Sequence, residues 1–138
     1  DFFHGTYMTD MAENEILTEI HMAPLPANTG CAYVKLKRKT GDWATAAAAV
    51  VLQMDGDKVA MVRIGLTNVA DMALRASDAE ALLVGNSLSP EVLAKVVDAV
   101  TAICDPAEDL RGDAEYKTAM AGEMTKRAIL QAAAEIGR

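Results

Sequence analysis

The chain has 138 residues, of which 51% are hydrophobic and only 4% aromatic, and its formal net charge is −7 with a pI near 4.7. This length fits one domain whose core is built mainly from Ala, Val, Ile, Leu and Met. The acidic balance argues against non-specific binding to nucleic acid, since phosphate contacts need a basic surface. No apolar run approaches the roughly 20 residues that a membrane helix needs, and the N-terminal residues lack the layout of a signal peptide.

The N-terminal region combines an irregular stretch with a predicted strand. Residues 1–14 mix aromatic and polar side chains without a period, which indicates a lead-in. Residues 15–22 alternate with the period of a β-strand. One face of this predicted strand carries Ile16, Thr18, Ile20 and Met22, and the other carries Leu17, Glu19 and His21. The two prolines and the glycine in residues 23–30 then predict a loop.

Three further runs predict an antiparallel sheet. Residues 31–39 alternate, which indicates a half-buried strand with Val34 on the inner face and Tyr33 on the outer face. Residues 44–54 are compatible with helix or strand, because the alanines favour one and the valines the other. An Asp-Gly pair at residues 55–56 decides for a hairpin, so the runs before and after it are both predicted strands. The small alanines would let another structure pack very close to the sheet.

The spacing of apolar residues becomes helical after Ala76. A capping-box pattern of Ser77 and Glu80 predicts a short helix, Ser89 followed by Pro90 begins a second, and Asp113 is the predicted N-cap of a third. The second helix is expected to end before residue 105, and the third to run toward residue 136 and to close at Gly137. The side chains predicted to face the core are Leu93, Val96, Val97, Val100 and Ile103 on the second helix and Tyr116, Met120, Met124, Ala133 and Ile136 on the third.

Strands first and helices afterwards predict an α+β fold. We expect an antiparallel sheet of about four strands, followed by and packed against about three helices.

The only tryptophan, Trp43, follows a Gly-Asp corner directly after a basic run. The basic residues of this run are Lys35, Lys37, Arg38 and Lys39. Its indole either covers the sheet edge or lies against a flat aromatic ligand. The cations either form a solvated edge strand or provide a positive field beside such a ligand. The spacing decides neither question.

The sequence lacks the recognisable patterns of a self-contained active site. We find no nucleophile with a nearby base, no paired carboxylates, no metal-ligand spacing and no glycine-rich phosphate loop. No catalytic residue and no metal ligand is therefore predicted. Cys31 and Cys104 are interpreted as reduced core thiols, and the tripeptide at residues 111–113, which spells an adhesion motif, as a chance match.

Five segments distributed over the chain resemble the medium (flavoprotein) subunit of molybdenum-containing carbon monoxide dehydrogenases, within the xanthine dehydrogenase superfamily. The segments are DFFHGTY (1–7), NEILTEI (14–20), YVKLKRKTGDWATAAAAVVL (33–52), RIGLTNVA (63–70) and DPAEDLRGDAEY (105–116). Only the C-terminal part of that subunit is matched. The resemblance implies that residues 1–14 lead in from a preceding FAD-binding domain, which carries the phosphate loops, and that residues 15–138 form the flavoprotein C-terminal domain.

The same resemblance implies four FAD-binding residues. Trp43 takes the place of an aromatic residue, commonly tyrosine, that shields one face of the isoalloxazine ring. Lys35 and Leu17 match positions that line the flavin, and Asp42 fixes the corner that presents the aromatic side chain. The neighbouring positive charge would favour the reduced, anionic flavin.

The activity implied is that of an oxidoreductase subunit. Electrons from a molybdopterin centre on a large subunit would pass through 2Fe-2S clusters on a small subunit to FAD, and from there to an external acceptor. The partners implied are these two subunits and the upstream FAD-binding domain, in a cytoplasmic complex that associates with the inner face of the membrane. The alternative is a stand-alone α+β interaction or dimerisation module that uses Trp43 and the basic strand as its surface.

Overall fold

The computed structural model describes residues 2–136 as a small hairpin, a four-stranded antiparallel sheet and three helices. The hairpin consists of β1 (Phe3–Gly5) and β2 (Met8–Thr9); the sheet of β3 (Thr29–Leu36), β4 (Ala46–Asp55), β5 (Lys58–Thr67) and β6 (Leu74–Arg75); and the helices are α1 (Ser77–Leu83), α2 (Pro90–Ala102) and α3 (Ala114–Glu135). The predicted α+β class is confirmed. Between residues 2 and 136, no helix has the length and apolar character needed to cross a bilayer.

The sheet has the strand order β3-β4-β5-β6, so that β3 and β6 form its edges. The ambiguous alanine-rich run is a strand, and the predicted hairpin joins it to β5. The turn residues are Gly56 and Asp57, because Asp55 pairs with Lys58. Gly56 has a φ of +60°, a conformation that glycine adopts without steric cost.

The helices cover one face of the sheet. Helix α3 packs on β3 and β4, α1 packs on β5, and α2 packs on the other two helices. The row of paired residues Ala32, Val50 and Ile64 lies on this face and is buried. The opposite face carries the next row, Tyr33, Ala49 and Gly65, of which the first two are exposed. One face of the sheet is therefore core, and the other is open.

The predicted strand over residues 15–22 is wrong for this structure. The sheet has the expected number of strands, but its fourth member is the two-residue β6, and residues 15–28 form neither helix nor strand. Alternation alone does not make a strand, because a strand also needs a neighbour with which its backbone can form hydrogen bonds. Within residues 2–136 this segment has no such neighbour. The predicted irregular lead-in, in turn, contains the β1–β2 hairpin.

Two of the three predicted helix starts are confirmed. The Ser89 hydroxyl accepts a hydrogen bond from the Val92 backbone N–H at 3.3 Å, and the Asp113 carboxylate accepts one from Tyr116 N–H at 2.7 Å. The capping box at Ser77 is wrong, because the helix has no side-chain cap and the Glu80 side chain points into the sheet instead.

Several smaller expectations also change. Tyr116 and Ile103 are exposed, not inward-facing, whereas Met124 is buried as predicted. Both cysteines are free thiols, but Cys31 lies on the open sheet face and is exposed, so it is not a core residue. The predicted closing residue Gly137 lies outside the described residues.

Gly30 marks the closest approach of the sheet to helix α3. A Cβ atom at this position would lie 1.9 Å from the Ala132 carbonyl oxygen, so a side chain forces the backbone of the strand or of the helix to shift. We expect Gly30→Ala to lower the free energy of unfolding by about 1–3 kcal/mol, the range typical of overpacking. The matched control is Gly65→Ala, whose Cβ would meet its nearest atoms at 4.0 Å. Chemical denaturation of the protein distinguishes the two variants, and equal midpoints would contradict the prediction.

Candidate functional site

The connection between β3 and β4 presents Trp43 to solvent. The loop spans residues 37–45 and is closed at its base by a hydrogen bond from Thr45 N–H to the Leu36 carbonyl at 2.8 Å. Gly41, with a φ of +80°, turns the chain immediately before the corner. The Trp43 side chain is 78% exposed, so the indole covers almost none of the protein's own surface. The interpretation that it seals the sheet edge does not fit this geometry.

A buried carboxylate holds the backbone of this corner. Asp42 Oδ1 accepts a hydrogen bond from Trp43 N–H at 2.8 Å and another from Arg111 at 3.0 Å, while Oδ2 accepts one from Arg38 Nε at 3.2 Å. The Arg111 guanidinium is the largest cause that lowers the pKa of Asp42, from 3.8 to about 2, with further help from Arg38 and the Trp43 N–H against the opposing effect of burial. Asp42 is therefore ionised at neutral pH.

The ion pairs continue from the corner to the start of helix α3. Arg111 N–H donates to Asp109 Oδ1 at 2.7 Å, and this bond, followed by that from the Lys117 ammonium, lowers the pKa of Asp109. Lys117 is only 2% exposed, and its Nζ lies 3.0 Å from Asp109 Oδ1 and 2.6 Å from the Ala107 carbonyl. The loop between α2 and α3 thus connects the Trp43 corner to the rigid third helix.

A second contact holds the corner from the side of β5. The side-chain amide of Asn68, which directly follows β5, donates to the Ala44 carbonyl at 2.6 Å and to the Thr45 carbonyl at 3.1 Å. Asn68 has a φ of +61°, a left-handed conformation that asparagine tolerates better than most residues. The two residues after Trp43 are therefore tied to the neighbouring strand.

Beside Trp43 the open sheet face forms a concavity of about 560 Å³. Its lining includes Tyr33, Lys35, Asp42, Trp43, Asn68 and Met72. Strand pairing places Lys35 opposite Ala47 and Ala47 opposite Thr67, so short side chains follow the lysine across the sheet. Of these two residues, Thr67 lines the concavity, whereas Ala47 is fully buried and does not.

A more apolar depression of about 560 Å³ adjoins the first and shares Tyr33 with it. Its lining includes Cys31, Ala49, Val51, Gly65 and Arg75. Tyr33, Ala49, Gly65 and Arg75 are paired in that order across the four strands. The open face therefore offers a continuous surface of small side chains with an aromatic and a cation at its margins.

The structure brings together three of the four residues predicted to bind a cofactor. Trp43, Lys35 and Asp42 line the same concavity, with Lys35 half-buried and Asp42 turned toward its arginine partners. Leu17 is not among the residues that line it; it is 54% exposed and lies in the irregular segment before β3. Of the basic run, Arg38 is engaged by Asp42 and by the Leu110 carbonyl at 3.3 Å.

Sequence reasoning missed three residues that shape this site. Arg111 was interpreted only as part of a chance tripeptide. The aspartate that it binds lies 69 residues away in the sequence, so no local pattern connects the two. Asn68 and Lys117 were not singled out at all. Contacts between residues so far apart in the sequence leave no local pattern. The available signal was a basic or amide side chain close to the end of a strand or the start of a helix.

The arrangement suits the binding of a planar ring better than bond-making by the protein. A flat aromatic group can lie on small side chains, stack against an indole and place a negative region near an ammonium group. Within residues 2–136, no group of three or more His, Cys, Asp or Glu side chains is placed to hold a metal ion. Fold and site together define an α+β domain that presents one sheet face and an aromatic corner.

Comparison with known proteins identifies this domain. The family model described as the CO dehydrogenase flavoprotein C-terminal domain matches residues 31–132, and the chain belongs to this family. It is 56% identical over 93% of its length to the carbon monoxide dehydrogenase medium chain of Hydrogenophaga pseudoflava, and 34% identical over 97% to the nicotine 6-hydroxylase medium subunit of Paenarthrobacter nicotinovorans.

Solved structures agree with the family. A carbon monoxide dehydrogenase structure from Hydrogenophaga pseudoflava superimposes with a TM-score of 0.96 at 57% identity over 99% of this chain and 47% of that chain. Quinoline 2-oxidoreductase from Pseudomonas putida 86 superimposes with a TM-score of 0.84 at 31% identity over 97% of this chain and 46% of that chain. The chain spans somewhat less than half the length of the curated relatives that it matches, 45% and 47% for the two named above.

Proposed function

We propose that this chain is the C-terminal domain of the medium subunit of a molybdenum hydroxylase of the carbon monoxide dehydrogenase kind, and that its Trp43 corner completes an FAD site. The observation that carries the proposal is an indole that is 78% exposed at the margin of an open sheet face, on a corner whose backbone is held by Asp42 and its two arginine partners. An exposed aromatic side chain that lines a concavity together with a few polar groups is typical of a small-molecule site.

The residues fit an isoalloxazine ring. Thr67 lines the concavity beside the indole and leaves room for a planar group on the sheet, and Trp43 can cover one face of such a group. Lys35 would lie beside the ring and favour negative charge on it, while Asp42 fixes the backbone from which the indole projects, by accepting a hydrogen bond from the Trp43 backbone N–H. When bound, FAD supplies the electron-transfer chemistry; the residues of this chain bind and orient it and exclude water from one side.

Leu17 remains a proposed flavin contact. It lies outside the concavity here, so its role depends on where residues 15–22 pack in the complete subunit.

The relatives favour carbon monoxide dehydrogenase as the parent enzyme. Identity is 56% and 50% to two medium chains of that name but 34% to the nicotine 6-hydroxylase subunit. Because such different substrates occur among proteins that share this fold, we infer that substrate selection lies outside this domain. The parent complex would contain a molybdopterin large subunit and an iron–sulfur small subunit, and would pass electrons through FAD to an external acceptor. Its cytoplasmic location stays a prediction.

Replacing Trp43 tests the flavin proposal. We expect Trp43→Ala in the full-length subunit to leave the unfolding midpoint unchanged, because the side chain is exposed, and to weaken flavin binding. Loss of ring stacking corresponds to about 0.5–1.5 kcal/mol, or roughly a two- to twelvefold rise in the dissociation constant. Flavin content after dialysis and the rate of flavin reduction measure the effect.

Two further variants make this test specific. Trp43→Tyr retains a flat ring and should keep most of the flavin, whereas Leu130→Ala removes a half-exposed side chain from helix α3 and should change nothing. Unaltered flavin content and unaltered reduction kinetics in Trp43→Ala would remove this residue from the site. If the complete protein also bound no flavin, the alternative of an interaction or dimerisation module would replace the proposal.

A further inference from the structure

We propose that Asn68 is a positioning residue of the FAD site, which sets the direction of the Trp43 ring by holding the backbone that follows it. This inference rests on the proposed function, because it adds a residue to the same site. The hydrogen bonds of Asn68 are made to the backbone of the corner, so its effect on a bound ring passes through Trp43.

The two hydrogen bonds of Asn68 require a carboxamide. Its Nδ2 atom donates to the Ala44 carbonyl at 2.6 Å and to the Thr45 carbonyl at 3.1 Å. A side-chain NH2 group carries two donors on one atom, whereas a carboxylate in the same place offers only acceptors and would repel both carbonyls. The pair of bonds therefore fixes the orientation of the amide and depends on this residue type.

Asn68 is anchored in the sheet and in the core. It directly follows β5, and the next residue, Val69, is fully buried and accepts a hydrogen bond from Asp105 N–H at 2.9 Å through its carbonyl. The φ of +61° at Asn68 costs free energy for a residue with a side chain, and such a conformation persists where the surrounding contacts hold it. Asn68 is therefore a fixed point from which the corner can be held.

The amide of Asn68 and the carboxylate of Asp42 hold opposite sides of the aromatic residue. Asp42 accepts the Trp43 N–H, whereas Asn68 binds the two carbonyls that come after Trp43 in the chain. Because most of the indole is exposed, its direction follows mainly from the backbone on these two sides. Asn68 and Trp43 line the same concavity, so a displacement of the corner changes the space in which a ring would lie.

Asn68→Asp in the full-length subunit tests this role. Aspartate has nearly the same size and also tolerates a left-handed conformation, but it replaces the N–H donors by oxygen. We expect the dissociation constant for FAD to rise toward, but not beyond, the roughly two- to twelvefold increase expected for Trp43→Ala, because the effect acts through the same stacked ring. The bound flavin should also fluoresce more brightly, since an indole that no longer lies on the ring quenches it less.

Two further variants make the comparison specific. Asn68→Gly keeps the left-handed backbone without strain, removes the amide and adds no charge, so it should change FAD affinity and flavin fluorescence in the same direction. Asn86→Asp is the matched control. The Nδ2 atom of Asn86 donates to the Leu82 carbonyl at 3.1 Å on the surface after helix α1, and the loss of this bond should change neither quantity.

A double-mutant cycle with Trp43→Ala decides whether Asn68 acts through the indole. Adding Asn68→Asp or Asn68→Gly to Trp43→Ala should weaken FAD binding no further. Additive losses would overturn this inference and leave the proposed function in place. The same conclusion would follow if both Asn68 variants bound FAD like the wild type while Trp43→Ala bound it less tightly. Unaltered flavin binding in Trp43→Ala would instead overturn the proposed role of the corner, and this inference with it.

Discussion

Replacing Asp42 with asparagine in the full-length subunit is expected to weaken flavin binding roughly tenfold, the scale typical of losing a residue that orients a direct ligand contact. Asparagine can still accept the Trp43 N–H through its side-chain oxygen, but it removes the charge that holds Arg38 and Arg111. The Nε atom of Arg111 is buried without a hydrogen-bond partner among the described residues, so once Asp42 becomes neutral the guanidinium keeps only its 3.6 Å ion pair with Asp109. We expect the loop between α2 and α3 to loosen and the indole to lose its fixed direction.

A double-mutant cycle separates this mechanism from a general loss of stability. If Asp42 and Arg111 act through each other, Asp42→Asn, Arg111→Met and the double variant should lose similar amounts of flavin affinity. Arg127→Met is the matched control, because within residues 2–136 Arg127 forms an ion pair only with Glu123 of the same helix, at the surface. Additive losses, or an equal loss in the control, would contradict the proposed coupling.

The pH dependence has a defined direction. The pKa of Asp42 is lowered from 3.8 to about 2, so the stabilisation that its charge provides is complete above pH 3.8 and is lost as the pH falls toward 2. Asp42 should therefore cause no change in flavin retention between neutral pH and about pH 4. Below that range the wild-type protein should approach the behaviour of Asp42→Asn, which itself should not respond to this titration.

Replacing Glu80 with alanine is expected to cost about 1.5–3 kcal/mol, the range typical of losing a hydrogen bond to a charged group and leaving a buried backbone donor without a partner. Strand β6 is only two residues long, and beyond it the Glu80 carboxylate accepts the Ile64 N–H of β5 at 2.9 Å. The carboxylate also accepts hydrogen bonds from Arg75 at 2.8 and 3.1 Å. Glu80 thus takes the place of a missing strand residue, and its loss leaves a buried N–H without a partner.

The charge state of Glu80 supports this prediction. Burial by itself raises the pKa of Glu80, but the hydrogen bonds from Arg75 and the Ile64 N–H, together with the Arg75 and Arg63 charges, outweigh it and lower the pKa. The carboxylate is therefore ionised at neutral pH, and its contribution is lost only when acid protonates it.

Two variants calibrate the Glu80 effect. Glu80→Gln keeps an oxygen for the Ile64 N–H and should lose less than Glu80→Ala, while Arg75→Gln, whose side chain is 59% exposed, should cost no more than about 1 kcal/mol. Exchange of the Ile64 amide and of the α1 amides in the full-length subunit measures the local opening. An Ile64 amide that stays protected in Glu80→Ala would show that another group supports this edge.

Most of the fold could be predicted from the chain alone, because its signals are local. The hydrogen bonds that Asp113 and Ser89 accept from the first turn of a helix need only the next few residues, and the hairpin at Gly56 needs only its own turn. The position of Trp43 directly after a basic strand was likewise visible in the sequence, but whether its indole is buried or exposed was not.

The site depended on contacts between distant parts of the chain. The partnership of Asp42 with Arg111 spans 69 residues, and Glu80 was misread as a cap because its true partners, Ile64 and Arg75, lie on other elements. Alternation in residues 15–22 predicted a strand that the structure does not contain, because a strand also needs a neighbouring edge with which to pair. Local preferences follow from each residue's own backbone and neighbours, whereas ion pairs and strand partners follow from how the folded chain brings distant segments together.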